Sequence, residues 1–261
     1  MVAAAFSLPR TVAAETLDGL AADDPQAMRS RRDLRRVHRV MRTRSILLHA
    51  LQGMSALHHK PEPLRVLELG AGDGSLMLGV ARALAPEWPT VELTLLDALP
   101  LIHRDTVKDY AALGWTAVAQ TGDVFDWVAG ETDRMRTGQP AQGWDLILCN
   151  LFLHHFEGAQ LAQLLEAIAT RSTLFFACEP RRERLAVVGS HLIGAIGANS
   201  VTREDAVLSV HAGFRAKELS ALWPGPAAAW QVQEYSAGLF SHCFRAERLE
   251  ANEGFTHANR V

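Results

Sequence analysis

The chain has little cysteine, no long uninterrupted apolar run and no repetition, and each lack narrows what it can be. Its 261 residues include 3 cysteines, Cys149, Cys178 and Cys243, each inside an apolar, strand-like run. Such thiols read as reduced core residues of a cytoplasmic protein rather than a disulfide framework. No apolar run approaches the roughly 20 residues that span a bilayer, so no membrane segment is expected. Met1 to Phe6 has neither a basic stretch nor a long apolar core, which argues against a secretory signal. Glu15, Asp18, Asp23 and Asp24 argue against a transit peptide, which would be poor in acids. No low-complexity segment exists beyond alanine enrichment. The histidines His49, His58, His59, His103, His191 and His211 show no metal-ligand spacing, so no metal is expected.

What is present is a chain long enough, at 48% hydrophobic, to bury a full core as one large domain or one and a half. The net charge is −3, but it is uneven. Residues 29–44 carry eight arginines and one aspartate, a net +7, which leaves the remainder at −10. Leu34, Val37, Met41, Leu48 and Leu51 recur through and beyond this segment at helical spacing. The segment therefore reads as an amphipathic helix with an arginine face, either solvated or in contact with RNA, an acidic partner or an anionic ligand. The acidic remainder argues against nucleic acid, whose binding track would continue across the domain.

From Pro63 the chain alternates strand and helix. Strands are expected at Leu64–Leu69, 91–97, 116–120, 144–151 and 173–178, with helices following Ser75, Arg104 and Glu157. Gly130–Gly143 reads as a polar surface loop. Two-sided apolar strands alternating with helices imply an α/β fold with a doubly wound, mostly parallel sheet. In the last third, 184–197 and 216–222 read as helical, 203–213 is ambiguous, and 230–236 with 241–247 suggests an antiparallel hairpin at the sheet edge.

The sharpest signal is Val66-Leu67-Glu68-Leu69-Gly70-Ala71-Gly72-Asp73-Gly74-Ser75. An apolar strand holding one acid breaks into alternating glycines and then a helix, which is where a nucleotide-like ligand is usually seated. A dinucleotide fingerprint would place its third glycine at Ser75; here that glycine comes one residue early. The pattern Glu-x-Gly-x-Gly-x-Gly resembles motif I of the class I S-adenosylmethionine-dependent methyltransferases. The resemblance, from about Glu15 to Arg248, implies a seven-stranded sheet with a reversed last strand. It also implies an N-terminal helical lid over residues 1–60, a cofactor domain over 61–250 and a short tail over 251–261.

Carried onto this sequence, the resemblance gives S-adenosylmethionine as cofactor, held by Glu68, Gly70, Gly72 and Gly74. Asp97, at the next strand end, would accept from the ribose hydroxyls; otherwise it would be an exposed helix cap. Asp123 and Val124 would clamp the adenine, and Asn150 and Leu151 would line the methionine part. His154 and His155, after the fourth strand, are candidate general bases because imidazole titrates near neutral pH; either could instead hold a loop. Glu179 would face the cofactor or pair with Arg181 or Arg182.

Departures from pattern exclude some relatives. No Pro-Pro-aromatic follows Asn150, as amino-methylating DNA enzymes require, and no cysteine follows a proline. The resemblance is to bacterial small-molecule enzymes, relatives of quinone-pathway and polyketide-tailoring methyltransferases. It implies methyl transfer to an oxygen, or an activated ring carbon, of a small aromatic or quinone-like acceptor. An RNA or protein methyltransferase, a non-catalytic cofactor-binding protein and, last, a nicotinamide-dependent dehydrogenase stay open, as does a homodimer.

Overall fold

The computed structural model describes residues 8–54, 57, 63–136 and 143–249; the tail over 251–261, His58 and His59 lie outside them. Two helices come first, α1 (Pro25–Met41) and α2 (Thr43–Gln52). Asp24 caps α1, its carboxylate accepting from Gln26 N and Ala27 N, with Pro25 at the first helical position where a missing N–H costs nothing. Then follow β1 (Leu64–Leu69), α3 (Ser75–Leu84), β2 (Val91–Asp97), α4 (Arg104–Ala111), β3 (Trp115–Thr121), α5 (Val124–Arg136) and β4 (Trp144–Asn150). The chain continues through α6 (Gly158–Arg171), β5 (Ser172–Pro180), α7 (Arg184–Leu192), α8 (Ser200–Ala212), α9 (Glu218–Leu222), β6 (Trp230–Ala237) and β7 (Ser241–Arg248).

All seven strands form one sheet in the order β3-β2-β1-β4-β5-β7-β6. The pairs from β3 to β5 are parallel, and β7 runs antiparallel to both β5 and β6. A parallel sheet must be covered on both faces, and two apolar layers cover this one. One packs Leu47, Leu51, Met77, Val80 and Leu84 of α2 and α3 on Val66 and Leu93. The other packs Val128 of α5 and Leu161, Leu164 and Ile168 of α6 on Leu67, Ile147 and Phe175. Thus α2 belongs to the core of the sheet face, while α1 lies further out against α8.

Two segments differ from their sequence reading. Gly130–Arg136 is the end of α5 rather than a loop, and residues 137–142 lie outside the described part. The helix starts because Asp123 Oδ1 accepts from Phe125 N at 2.6 Å, and Val124 and Val128, four apart, are buried. The ambiguous 203–213 stretch lies in α8 up to Ala212, and the Asn199 cap of that helix accepts from Thr202 N. Its buried face includes Thr202 and Asp205, polar residues that break the apolar period.

Candidate active site

The strand order reverses between β1 and β4, and in an open α/β sheet that switch point opens a crevice at the carboxyl ends of the strands. Four acids and amides stand at or near those ends: Glu68 on β1, Asp97 on β2, Asn150 on β4 and Glu179 on β5.

The glycine loop takes its shape from backbone requirements. Gly70 has φ +68°, and a Cβ there would meet the Phe152 ring at 2.4 Å, so only glycine fits both conformation and contact. Gly72 has φ +59° with nothing within 4 Å of the Cβ position, and its N–H donates to Asp97 Oδ2 at 2.7 Å. Asp97 Oδ1 accepts from Leu99 N at 3.0 Å. The carboxylate at the end of β2 therefore holds the loop beside it and keeps a second lone pair on each oxygen. Gly74 stands behind, leading into α3, its carbonyl accepting from the Tyr110 hydroxyl at 2.9 Å, outside the cavity lining.

Two joined cavities follow the loop. The larger, of about 460 Å3, is lined by Gly70, Gly72, Asp97, Gly122, Asp123, Val124, Leu151, His154 and His155, among others. The smaller, of about 170 Å3, is lined by Glu68, Asn150, Leu151, Asp73 and, from α1, Arg31, Arg35 and His38. The arginine face of α1 thus includes two residues turned onto the glycine loop; Arg35 Nη1 donates to Asp73 Oδ2 at 2.9 Å.

The smaller cavity concentrates unanswered polar atoms. Glu68 Oε2, Asn150 Oδ1 and Arg31 Nη2 are buried and have no hydrogen-bond partner among the described residues. Each such atom costs about 1–3 kcal/mol relative to a satisfied one. Burial, with the negative charges of Asp97 and Asp73, pushes the Glu68 carboxyl up to about 8. Asp97 is also raised, by burial that outweighs its hydrogen bonds from Leu99 and Gly72. Leu151, between the cavities, has φ 51°, a left-handed conformation that costs a leucine about 1–3 kcal/mol.

The two histidines separate. His154 is buried in the turn after β4; its Nδ1 lies 2.8 Å from Glu179 Oε2 and its Nε2 3.3 Å from Glu15 Oε1. Burial works against its charge, but the hydrogen bonds and charges of these two carboxylates prevail and raise it to about 9. At neutral pH it is an imidazolium with both nitrogens engaged, which leaves no lone pair for a base. Glu179 also accepts from Phe152 N and Leu153 N, so it faces the turn and not Arg181 or Arg182. Those arginines pair with Glu183 and Glu218. His155 is half-buried on the cavity wall, its Nδ1 3.2 Å from Asp18 Oδ2.

Sequence reasoning placed no role on Glu15 or Asp18, because contacts across more than a hundred residues leave no local signal, and it gave Arg31 only as part of the arginine face. The segment before α1 is tied down by Asp205 on α8, whose carboxylate accepts from Thr16 N and Leu17 N at 2.8 and 2.9 Å. Arg10 donates to Phe156 O at 2.8 Å and Ala212 O at 2.7 Å. Among the described residues, Glu15, His154 and His155 form one group whose potential metal-donor atoms lie within 4.8 Å of one another; as arranged, both His154 nitrogens are taken by carboxylates.

Neither a protein-family model nor a curated protein matches the chain. Solved structures do. The plantazolicin methyltransferase BpumL in complex with a monoazolic desmethylPZN analog and SAH superposes with a TM-score of 0.57, covering 87% of this chain and 91% of that one at 16% identity. Its triazolic complex gives 0.58, covering 87% and 92% at 14% identity. The chain has the class I methyltransferase fold. Both the reversed β7 and the order around β1 and β4 belong to that architecture, as the glycine loop implies. No described helix is long and apolar enough to cross a membrane.

Proposed function

We propose that the chain transfers a methyl group from S-adenosylmethionine to an oxygen, or an activated ring carbon, of a small aromatic or quinone-like molecule. The observation that carries this reading is the trio of unpartnered buried atoms beside the glycine loop. Glu68 Oε2 and Asn150 Oδ1 are acceptors and Arg31 Nη2 is a donor, the complement of an amino acid's ammonium and carboxylate. Asp97, with acceptor capacity left on both oxygens, suits the ribose hydroxyls, and Asp123, Val124 and Phe156 line the remainder of the larger cavity. A nicotinamide dinucleotide has no ammonium to answer Glu68. That relatives of this fold hold SAH is further support.

When bound, the cofactor supplies an electrophilic methyl on a sulfonium. The protein's part is alignment, exclusion of water and removal of the acceptor's proton. His155 is the base in this reading: Asp18 accepts a hydrogen bond from its Nδ1–H, leaving the Nε2 lone pair to accept from an acceptor hydroxyl. Burial works to raise the Asp18 carboxyl, but the hydrogen bond and charge of His155 outweigh it and leave Asp18 below its usual range. His154, charged and doubly paired, holds the turn that presents His155. The arginine helix serves the cofactor rather than a polymer, since Arg31 and Arg35 line its cavity. Three free, buried thiols suit a reducing cytoplasm.

Incubating the protein with S-adenosylmethionine and a panel of phenols, naphthols and hydroquinones, read by mass spectrometry, tests the proposal. A 14 Da gain on at least one acceptor is the expected result. Cofactor binding without turnover across the panel would favour a non-catalytic binding protein.

A further inference from the structure

A third cavity, of about 340 Å3, adjoins the larger cofactor cavity. The two share Glu15, Leu17, Leu34, Leu151 and Ser209 in their walls, so a molecule in one meets a molecule in the other at that junction. Its remaining walls come mostly from α1, α7 with the turn that follows it, and α8, and are almost wholly apolar: Val37, Met41, Ala186, Ile193, Ala206 and Val210 among them. Among the described residues no lysine, arginine or histidine lines it, while two carboxylates, Glu15 and Asp205, do. Glu15 is answered by the His154 imidazolium and Asp205 by the backbone of Thr16 and Leu17, so neither brings a cation to an anionic ligand, which would lose its hydration there uncompensated.

The mouth is unusual. Val40, Leu192 and Ile196, all in the cavity lining, are 57%, 63% and 37% exposed. Leu185 and Val188, also largely exposed, precede Leu192 on α7 at helical spacing and extend the apolar surface outward. Large apolar side chains clustered at a rim mark a binding surface more than scattered ones do. Inside, the Thr202 hydroxyl is buried, lines the cavity and has no hydrogen-bond partner among the described residues.

We infer that this cavity takes an uncharged, amphipathic acceptor. Its reactive hydroxyl or ring lies at the Glu15–Leu151–Ser209 junction, and its apolar body fills the cavity and emerges as a tail between Val40 and Leu192. The inference rests on the methyl-transfer reading for the word acceptor, but the binding preference stands on the cavity alone. Carboxylate- and phosphate-bearing molecules are excluded by the lack of a lining cation, which leaves their lost hydration uncompensated. Thr202 marks where a polar substituent on the body is tolerated. The rim fixes the tail as apolar, since each methylene moved from water onto it gains affinity.

Calorimetry on the full chain tests this with three probes, each in the presence and absence of S-adenosylhomocysteine: 2-naphthol, 6-hexyl-2-naphthol and 6-hydroxy-2-naphthoate. The hexyl compound should bind about tenfold or more tighter than the parent, and the naphthoate at least about tenfold more weakly than the parent. Leu192→Glu, at an exposed position that does not threaten folding, should remove the advantage of the hexyl chain while leaving nucleoside affinity unchanged. Equal affinity for the naphthoate, or a hexyl advantage that survives Leu192→Glu, overturns the inference. So does nucleoside binding with no naphthol binding. Naphthol binding in the predicted order without nucleoside binding upholds it and instead sinks the methyl-transfer reading.

Discussion

His154 Nδ1 sits 2.8 Å from Glu179 Oε2 in a site where the two side chains are 2% and 0% exposed. Fourfold support of the turn 152–155 follows, because the same carboxylate accepts from the backbone of Phe152, Leu153 and His154. The pair makes folding stability depend on pH. His154 is raised from 6.5 to about 9 in the folded chain, so its contribution is full below about pH 6.5 and is lost as pH rises through about 9. The magnitude is on the order of 3 kcal/mol. Thermal melts across pH 6–9.5 should show the native chain losing stability over that window and His154→Gln, less stable at pH 6, showing a flatter profile. A parallel loss in both proteins would remove His154 from the account.

Glu68, pushed up to about 8, is protonated at pH 7 and must ionise to pair with an ammonium. Binding of S-adenosylhomocysteine at pH 7 should therefore release close to one proton, visible as a dependence of the calorimetric enthalpy on the buffer's ionisation heat. Glu68→Gln should abolish the release and weaken binding by about 10–100-fold, the loss of one charge-assisted hydrogen bond. Unchanged proton release in the variant would assign the proton elsewhere.

At Asp97 two roles coincide, a loop contact to Gly72 N and the acceptor capacity proposed for ribose. Asp97→Ala should weaken nucleoside binding by about 10–100-fold, and Asp97→Asn, which keeps one acceptor oxygen, should fall between. If methionine-like fragments lose as much affinity as the whole nucleoside, the effect comes through the loop and the ribose assignment is wrong.

His155 and Asp18 meet across the fold, from the turn after β4 and from the segment before α1. His155→Ala should lower kcat by about 100-fold or more with cofactor affinity intact. Asp18→Asn should lower kcat about tenfold with cofactor affinity and KM unchanged, as expected of a positioning residue. Full turnover in His155→Ala would leave catalysis to alignment alone.

How much of this was legible beforehand divides by distance along the chain. The strand–glycine loop–helix unit, the acid at the end of β2 and the amide at the end of β4 each follow from a few neighbouring residues, so the sheet and the cofactor crevice are readable. The roles of Glu15, Asp18 and Arg31 are not, since what defines them is the return of α1 and α8 over the sheet. The His-His pair shows the limit most plainly. Nothing in the local sequence separates the two rings, and only Glu179 and Glu15, closing on one of them, make it a fixed cation. The reading of Gly130–Gly143 as a loop failed over Gly130–Arg136 for a local reason: Gly130 and Thr132 outweighed the Asp123 cap and the buried Val124–Val128 pair.

The central claim is that the glycine-loop crevice holds an amino-acid-bearing nucleoside. Titrating the chain with S-adenosylhomocysteine and, separately, NADH by calorimetry measures it directly. The account predicts saturable binding of S-adenosylhomocysteine and none of NADH; NADH binding without S-adenosylhomocysteine binding would contradict it.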